Sequence, residues 1–384
     1  MESKLWEDVG AGETLPALEL PITFKTFVLA VAGTRDWNPF HHQAPFTRAA
    51  TGAPDIWLNT MWHQSVFARF VTDWLGPESD FRATSIHMVG RIHPGNRVRI
   101  EGSVTGRPER DGDRLAEIAI MASTDASGVV ARATATMAMP SRAGGPVRPR
   151  SVLAKPRVEP HPELPEFARV WLGRQTDPLP GGYPVSEAQI MYWADMAQDA
   201  NPLYADTAYA RASRHGGMIA PLPSLLIWAC ARAGRMGNSY EHPDCEDPAS
   251  TPWPPRESQR SVSGMTTRDH RLLGAMLADE WDPPGCPELA ANLVVQEYGK
   301  PLRPGDRVNT RAELVNCSPL AKTRMGEGYF QTSLTSFYNQ HDELIMVCTR
   351  VGLMSKSPEH GGSNPVVTGE SPAAPPTAAE EARA

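Results

Sequence analysis

The order of apolar and polar positions repeats in the two halves of the chain. Each half opens with a short amphipathic helix, predicted for Thr23–Ala32 and Glu187–Ala197. Each half also has a long apolar helix, predicted for about Ile56–Leu75 and Leu222–Ala233. Apolar residues at helical spacing favour helices of both kinds. Because the long helix is too apolar for a surface position, we expect a sheet to wrap around it.

Alternating β-type segments follow the long helix in each half. In each half a Pro-Gly turn lies between two strand-like runs, at His93-Pro94-Gly95-Asn96 and at Arg303-Pro304-Gly305-Asp306. Period-two alternation with β-branched residues is typical of strands. The predicted strands are Arg97–Val104, Arg114–Ser123, Val129–Met139, Arg307–Leu314, Gly328–Tyr338 and Leu344–Leu353. The predicted fold class is α+β, with two antiparallel sheets that can join edge to edge.

Changes in composition divide the chain into segments. Residues 141–165 are rich in Pro, Arg and small residues and are predicted to be an extended linker. They separate a first domain, 1–140, from a second domain, 166–355. Residues 356–384 have no large apolar anchors, and we expect them to be disordered. The segment 237–261 is predicted to be a surface excursion of the second domain.

Length, charge and cysteine usage limit the class of protein. With 384 residues and 41% hydrophobic composition, the chain is long enough for two domains. A formal net charge of −7 offers no support for a nucleic-acid or anionic-membrane partner. The five cysteines show no metal-ligand or redox spacing, and the first twenty residues lack a signal-peptide pattern. These features predict a soluble, cytoplasmic protein with no metal site.

The element with the clearest chemical potential lies between the first two predicted helices. Asp36 and His41 are five residues apart, across Asn38 and Pro39. Pro39 prevents the helix from continuing, and the Asn38 amide can tie the resulting loop to neighbouring backbone. Such a bend can turn the carboxylate and the imidazole toward one another. Held around one water, the two groups can act as a general acid and a general base.

The run Asp36-Trp37-Asn38-Pro39-Phe40-His41 resembles the signature of the MaoC-like (R)-specific enoyl-CoA hydratases, which have the hotdog fold. The resemblance implies that Asp36 and His41 activate water for addition to a trans-2-enoyl thioester, or catalyse the reverse dehydration. It also implies that a backbone N–H near Asn59 binds the thioester carbonyl, because a helix N-terminus suits developing negative charge. The family's usual glycine at this position is replaced by Asn59.

A second departure from the family pattern is Arg35, which replaces the glycine before the acid. Arg35 is expected either to support the loop, as an ion-pair partner, or to reach a CoA phosphate, with loop support favoured. Together with Asp55–Asn59 and Val71–Pro77, this stretch is similar to an actinobacterial subgroup of the family. That subgroup includes the catalytic subunit of a heteromeric hydratase of steroid side-chain degradation. The resemblance covers most of residues 1–140.

The second half resembles the N-terminal MaoC-like dehydratase domain, which is usually the non-catalytic partner. Asp199 and Asn201 repeat the first-half motif, but Tyr204 stands where the first half has His41. A phenol with a pKa of about 10 cannot easily replace imidazole as a base at neutral pH. We therefore predict that the second half is a degenerate site that forms part of the acyl pocket. The early Pro221 and Pro223 fit a distorted central helix that leaves room for a bulky acyl group.

The resulting hypothesis is a hydratase or dehydratase with a tandem, or double, hotdog fold. Its predicted partner is an acyl-CoA or acyl-carrier thioester. The acyl group can be a bulky or steroid-type one. The fold is also compatible with a homodimer. Because CoA is part of the substrate, no separate cofactor is predicted. Three alternatives stay open: a dehydratase of carrier-bound polyketide or fatty acyl chains, a hotdog thioesterase, and a non-catalytic acyl-binding protein. The sequence has no Gly-x-Gly-x-x-Gly, P-loop, His-Glu-x-x-His or Gly-x-Ser-x-Gly motif that would favour another class.

Overall fold

A computed structural model describes residues 2–36, 38–150, 153–229, 281, 283–286, 288–323 and 326–356. The predicted excursion at 237–261 and the predicted tail beyond residue 356 lie outside these residues. So does the end of the second predicted long helix, from residue 230 onward.

In the described part of each half, a first strand is followed by a run of helices and then by five further strands, and the second half has one more helix before its first strand. The first half contains β1 (Thr14–Pro21), α1 (Phe24–Thr34), α2 (Ala44–Thr51), α3 (Thr60–Leu75), β2 (Asp80–Met88), β3 (Arg97–Gly106), β4 (Glu109–Arg110), β5 (Asp113–Thr124) and β6 (Gly128–Ala138). The second half contains α4 (Glu166–Arg169), β7 (Leu179–Pro180), α5 (Glu187–Ala197), α6 (Pro202–Ala205), α7 (Thr207–Ala212), α8 (Leu225–Trp228), β8 (Glu288–Tyr298), β9 (Asn309–Cys317), β10 (Ala321–Thr323), β11 (Gly326–Tyr338) and β12 (Leu344–Ser355). Short 3₁₀ helices lie at Trp6–Asp8, Pro39–His41 and Leu222–Ser224.

The strands form one antiparallel sheet that is nearly symmetric about its middle. Its order in the described part of the chain is β1-β3-β5-β6-β2-β8-β12-β11-β9-β7. The first five strands belong to the first half, and the last five repeat their order in reverse. The two halves join through β2 and β8, whose register runs from Ala83 opposite Glu297 to Met88 opposite Asn292. The prediction that two sheets join edge to edge is confirmed.

The sequence pattern predicted the two strands that make this junction only as strand-like runs before the Pro-Gly turns, without bounds. It missed β1, and the observed strands extend one to three residues beyond several of the predicted ends. In β2 the burial pattern is irregular, with Phe81 and Arg82 both buried, because a register shift interrupts its pairing with β6 between Phe81 and Ala83. A strand with such an irregularity lacks the clean period-two alternation that sequence analysis depends on.

Helix α3 is the buried centre of the first half. Twelve of its residues are buried, including Trp62, Val71 and Leu75. The helix begins at Thr60 rather than near Ile56, because the Asn59 side chain caps it by accepting the N–H of Trp62 at 2.9 Å. Residues 56–58 lie in the loop before the helix instead, and the N–H of Leu58 donates to the carbonyl of Ile92.

The corresponding region of the second half is less regular. Leu222–Ser224 forms a 3₁₀ turn with Pro223 in it, and α8 continues from Leu225 to Trp228. Pro221 and Pro223 supply no N–H for helical hydrogen bonds, which favours this break in the first turn. A distorted start to the second central helix was predicted from these two prolines.

Helices α1 and α5 pack against each other across the boundary between the halves. Gly33 allows the close approach: a Cβ atom at this position would lie 2.9 Å from the carbonyl oxygen of Tyr192 and 3.0 Å from the Cβ of Met196. Two sheets, each wrapped around a central helix and joined at their edges, constitute a double hotdog fold. The predicted fold class is therefore confirmed. Among the described helices, none is long and apolar enough to cross a membrane.

Candidate active site

The predicted catalytic motif of the first half begins where α1 ends. Arg35 caps the helix in the left-handed conformation, with φ of 55°, and its N–H donates to the carbonyl of Val31. Pro39 then begins a single 3₁₀ turn that ends at His41. The Asn38 side chain accepts a hydrogen bond from the N–H of Phe40 at 3.1 Å. The backbone N–H of Asn38 donates to the carboxylate of Asp36 at 3.3 Å. The chain therefore folds back on itself between Asp36 and His41, with Asn38 tying the loop.

This bend brings the two predicted catalytic side chains together. The Nε2 atom of His41 lies 3.3 Å from the Oδ2 atom of Asp36, and both side chains are largely buried. On the other side of the ring, Nδ1 lies 2.7 Å from the carbonyl oxygen of Trp57. Because a carbonyl can only accept a hydrogen bond, this contact assigns a proton to Nδ1. Nε2 is therefore the ring nitrogen that faces Asp36.

Asn59 holds the carboxylate from the opposite direction. Its side-chain amide donates to Oδ2 of Asp36 at 3.1 Å and to Oγ1 of Thr34 at 2.9 Å. Thr34 in turn donates to the carbonyl of Ala30 at 2.6 Å and accepts the N–H of Asp36 at 3.3 Å. The side chain of Asn59 thus orients Asp36, a contact that the sequence did not predict. The predicted role of its backbone N–H at the thioester carbonyl stays a prediction.

The surroundings of the two groups separate their pKa values. Burial acts to raise the pKa of Asp36, but the charge and hydrogen bond of His41 and the donors of Asn38 and Asn59 outweigh it, so the pKa is held below its ordinary value. For His41, burial acts to lower the pKa, and the charge and hydrogen bond of Asp36 outweigh it, so the pKa is raised. Both shifts favour the charged forms, a carboxylate beside a protonated imidazole.

The second half presents the same backbone without the same chemistry. Gln198 caps α5 in the left-handed conformation, as Arg35 caps α1, and Asp199 follows it as Asp36 follows Arg35. Asp199 accepts the N–H of Asn201 at 2.9 Å, and in the described residues no hydrogen bond joins it to Tyr204. Burial raises the pKa of Asp199 to about 6. Burial also raises the pKa of Tyr204, further from the range of a useful base.

The backbone donor of Asn38 is kept by Asn201 in the second half, but the side chains that hold Asp36 have lost their counterparts. Aligned from the helix caps, Ala197 replaces Thr34 and Tyr204 replaces His41. The N–H of Ala220 donates to Leu302 as that of Leu58 donates to Ile92, so Pro221 occupies the place of Asn59. Proline has neither the amide side chain nor a backbone N–H.

The second half contributes instead to the support of the first-half loop. The Gln189 amide on α5 donates to the carbonyls of Ala32 at 3.1 Å and Gly33 at 2.9 Å, immediately before Thr34. The guanidinium of Arg35 lies 4.2 Å from the ring centre of Tyr183. The structure thus places Arg35 against an aromatic ring of the other half. Neither contact carries a sequence signal, because each joins residues about 150 positions apart.

Trp57 is a further residue that sequence analysis did not assign to the site. Its carbonyl holds His41, and its ring stacks on Phe40 with centroids 5.1 Å apart. The guanidinium of Arg91 lies 4.1 Å from the Trp57 ring centre. Trp57 therefore orients the imidazole of His41 through its backbone carbonyl, while its ring packs against the motif loop at Phe40.

Comparison with known proteins gives matches in both sequence and structure. Residues 171–245 match the model of the FAS1-like dehydratase domain region. The chain is 28% identical over 178 residues to a Thermomonospora curvata protein named "Probable enoyl-CoA hydratase alpha subunit", a match that covers 46% of this chain and 47% of the relative. A MaoC domain protein of Chloroflexus aurantiacus superposes with a TM-score of 0.59 at 13% identity, covering 92% of this chain and 98% of the other, and so shares the fold.

The chain thus spans about half the length of the first of these curated relatives. It also matches the 3-oxo-4,17-pregnadiene-20-carboxyl-CoA hydratase beta subunit of Mycobacterium tuberculosis, at 30% identity over 95 residues, which is 24% of this chain and 72% of the relative. This match agrees with the double hotdog fold and with the Asp-x-Asn-Pro-x-His motif. The chain therefore belongs to the MaoC-like hydratase and dehydratase family.

Proposed function

We propose that this protein is a hydro-lyase that adds water to a trans-2-enoyl-CoA thioester, or dehydrates the corresponding 3-hydroxyacyl thioester. The observation that carries the proposal is the contact of 3.3 Å between Asp36 and His41, each held by a separate partner. Asn59 orients the carboxylate, and the Trp57 carbonyl orients the imidazole. This geometry leaves one carboxylate oxygen and one ring nitrogen able to share a water molecule.

We assign a role to each group from the geometry of the contact, which the directions of the two pKa shifts support. The carboxylate of Asp36 accepts a proton from water as the water oxygen bonds to the β-carbon of the enoyl group. The protonated His41 donates a proton from Nε2 to the α-carbon. The pair thus gains one proton and loses one, and proton transfer within the pair restores the starting state. Acid–base catalysis of this type contributes about 10²–10⁴-fold to a rate.

Negative charge develops on the thioester oxygen during this step. The N-terminus of α3, with Asn59 as its cap, offers backbone N–H groups and the positive end of a helix dipole. We assign the thioester carbonyl to the N–H of Asn59, which lies on the same residue that orients Asp36. The missing N–H at Pro221 then explains why the second half would bind no enolate.

CoA is the proposed carrier, and a bulky or steroid-type acyl group is the proposed substrate. The names of the relatives from Thermomonospora curvata and Mycobacterium tuberculosis support CoA, and the latter name supports a steroid acyl group. The broken helix at Leu222–Ser224 supports the second half as one wall of the acyl pocket.

Hydration of crotonyl-CoA and of a bulky enoyl-CoA, followed by loss of the conjugated thioester absorbance, tests the proposal. We expect Asp36→Asn and His41→Ala each to lower kcat by about 10²–10⁴-fold. Asp199→Asn is the matched control, because it changes the equivalent carboxylate of the degenerate site. Full activity in both first-half variants would refute the proposed mechanism. Release of free thiol from a saturated acyl-CoA would indicate a thioesterase instead.

A further inference from the structure

A narrow cavity lies inside the first half, beside α3. The residues around it come from α3, from strands β2, β5 and β6, and from the second half, and they are mostly apolar. They include Phe67, Phe81, Ile86, Ile120 and Pro223. The free space is large enough for only about one water-sized group. Pro223, from the 3₁₀ turn of the second half, forms one wall.

Three polar residues, Gln64, Thr84 and Thr134, interrupt this apolar lining, and Gln64 is the most deeply buried of them. Its side chain is 3% exposed, and neither its Nε2 nor its Oε1 atom has a hydrogen-bond partner among the described residues. Burying an amide without a partner costs about 1–3 kcal/mol. Buried polar groups in folded proteins are nearly always paired, so an unpaired amide that borders a cavity indicates a polar group that enters it.

Thr84 adds a second polar atom to the same cavity. Its Oγ1 lies 2.8 Å from the Tyr298 hydroxyl, which donates to Oε1 of Gln296 at 2.6 Å. Because the tyrosine proton is used for Gln296, Thr84 must be the donor to Tyr298. The oxygen of Thr84 therefore remains available as an acceptor. The cavity offers one amide donor and two acceptor oxygens.

The cavity is close to the proposed catalytic centre. Gln64 follows Asn59 by five residues, which is about 7.5 Å along the helix axis. Thr60, the first residue of α3, lies one turn before Gln64 on the same side of the helix. An acyl group that leaves the catalytic centre along this side of α3 would bring a position several carbons beyond the β-carbon to Gln64.

We infer that Gln64 and Thr84 form a subsite for one neutral oxygen substituent, a hydroxyl or a carbonyl, on an otherwise apolar acyl group. The Gln64 amide donates to this oxygen, and a hydroxyl can in turn donate to Thr84. The inference rests on the proposed hydratase function and adds to it a class of substrate. It also assigns part of the recognition to the second half, because Tyr298 and Gln296 lie on β8.

Matched substrates test this subsite. We expect the wild-type protein to hydrate ω-hydroxy-trans-2-decenoyl-CoA or its ω-oxo analogue with a kcat/KM about tenfold above that of plain trans-2-decenoyl-CoA, because an apolar chain leaves the amide unpaired. The comparison of hydroxyl with carbonyl distinguishes the two oxygen chemistries. In Gln64→Leu, the preference should fall to about one. An unchanged preference in the variant would overturn the inference.

A second measurement does not depend on activity. Because Gln64→Leu removes an unpaired buried amide, its Tm should equal or exceed that of the wild type. Gln64→Met serves as a second variant if the branched side chain does not fit. Ser65→Ala removes a buried hydroxyl outside the cavity and should keep the wild-type preference. A lower Tm in both Gln64 variants would show a structural role and overturn the subsite. Absence of hydration in the wild type with every substrate would instead count against the proposed function.

Discussion

Asp36 and Asp199 occupy the same position in two copies of one motif, yet their surroundings shift their pKa values in opposite directions. Asp36 has His41 and the Asn59 amide beside it, and its pKa is lowered. Asp199 has Tyr204 and Pro221 at the matching positions, and burial raises its pKa to about 6. The motif residues were predictable from the sequence. The partners Thr34, Asn59 and Trp57 were not predicted in their observed roles, because side-chain contacts across a fold leave no local pattern.

Replacement of Asp199 by Asn should stabilise the protein in a pH-dependent way. The folded state holds the proton of Asp199 more tightly than the unfolded chain, whose pKa is near 3.8. Stability of the wild type therefore falls as the pH rises from about 4 to 6. Asp199→Asn avoids this loss, which corresponds to on the order of 3 kcal/mol when complete.

Thermal unfolding between pH 4 and pH 8 measures the effect. The Tm of Asp199→Asn should exceed that of the wild type above about pH 6, and the difference should vanish toward pH 4. Asp195→Asn, an exposed change on the same helix, is the control. A constant Tm difference across this range would contradict the burial argument.

At the scale of elements, the helices determine how the two halves cooperate. Helix α5 has the position that α1 has in the first half, but its Gln189 donates to the last carbonyls of α1. The bounds of α5 were predicted to the residue, since its amphipathic pattern begins after the Ser186 cap. Its contact with the catalytic loop was not predictable, because helical periodicity identifies a buried face without naming the partner.

Removal of the Gln189 amide should loosen the catalytic loop. We expect Gln189→Leu to lower kcat by about tenfold with little change in KM, because small displacements of reacting groups cost rate rather than substrate binding. Steady-state hydration kinetics provide the measurement. Glu187→Gln, on the first turn of the same helix, should behave as wild type. A change confined to KM would show that Gln189 acts on substrate binding instead.

At the scale of the whole molecule, one sheet and a set of buried charges join the halves. Arg214 of the second half contacts Asp80 of β2 at 2.6 Å and 2.9 Å, and Arg82 lies 3.6 Å from the same carboxylate. Side-chain exposure is 12% for Asp80 and 14% for Arg214. Removing the partner of a buried cation costs free energy, so these ion pairs stabilise the junction between the halves.

Asp80→Asn should therefore destabilise the protein by about 2 kcal/mol, since it leaves Arg214 with only the carboxylate of Glu78, at 3.5 Å, as a charged partner. Because the sheet is continuous, we expect a single cooperative transition at lower denaturant concentration. Chemical denaturation followed by circular dichroism and tryptophan fluorescence measures both properties. Glu166→Gln, in an exposed ion pair, should change stability by less than about 1 kcal/mol. Two separate transitions would show that the halves unfold independently.

The sequence by itself determined the repeated architecture of this protein and indicated the pair that we propose as the reacting groups. Periodicity identified the helices, the Pro-Gly turns located the strands, and the Asn-Pro bend brought Asp36 and His41 together, because these features depend on neighbouring residues. The tertiary structure decided what surrounds the pair: the Asn59 amide, the Trp57 carbonyl and the support from Gln189. These contacts join distant positions of the chain, and long-range packing alone selects which side chains meet. For the same reason, the sequence did not predict which neighbouring groups set the protonation of Asp36 and His41.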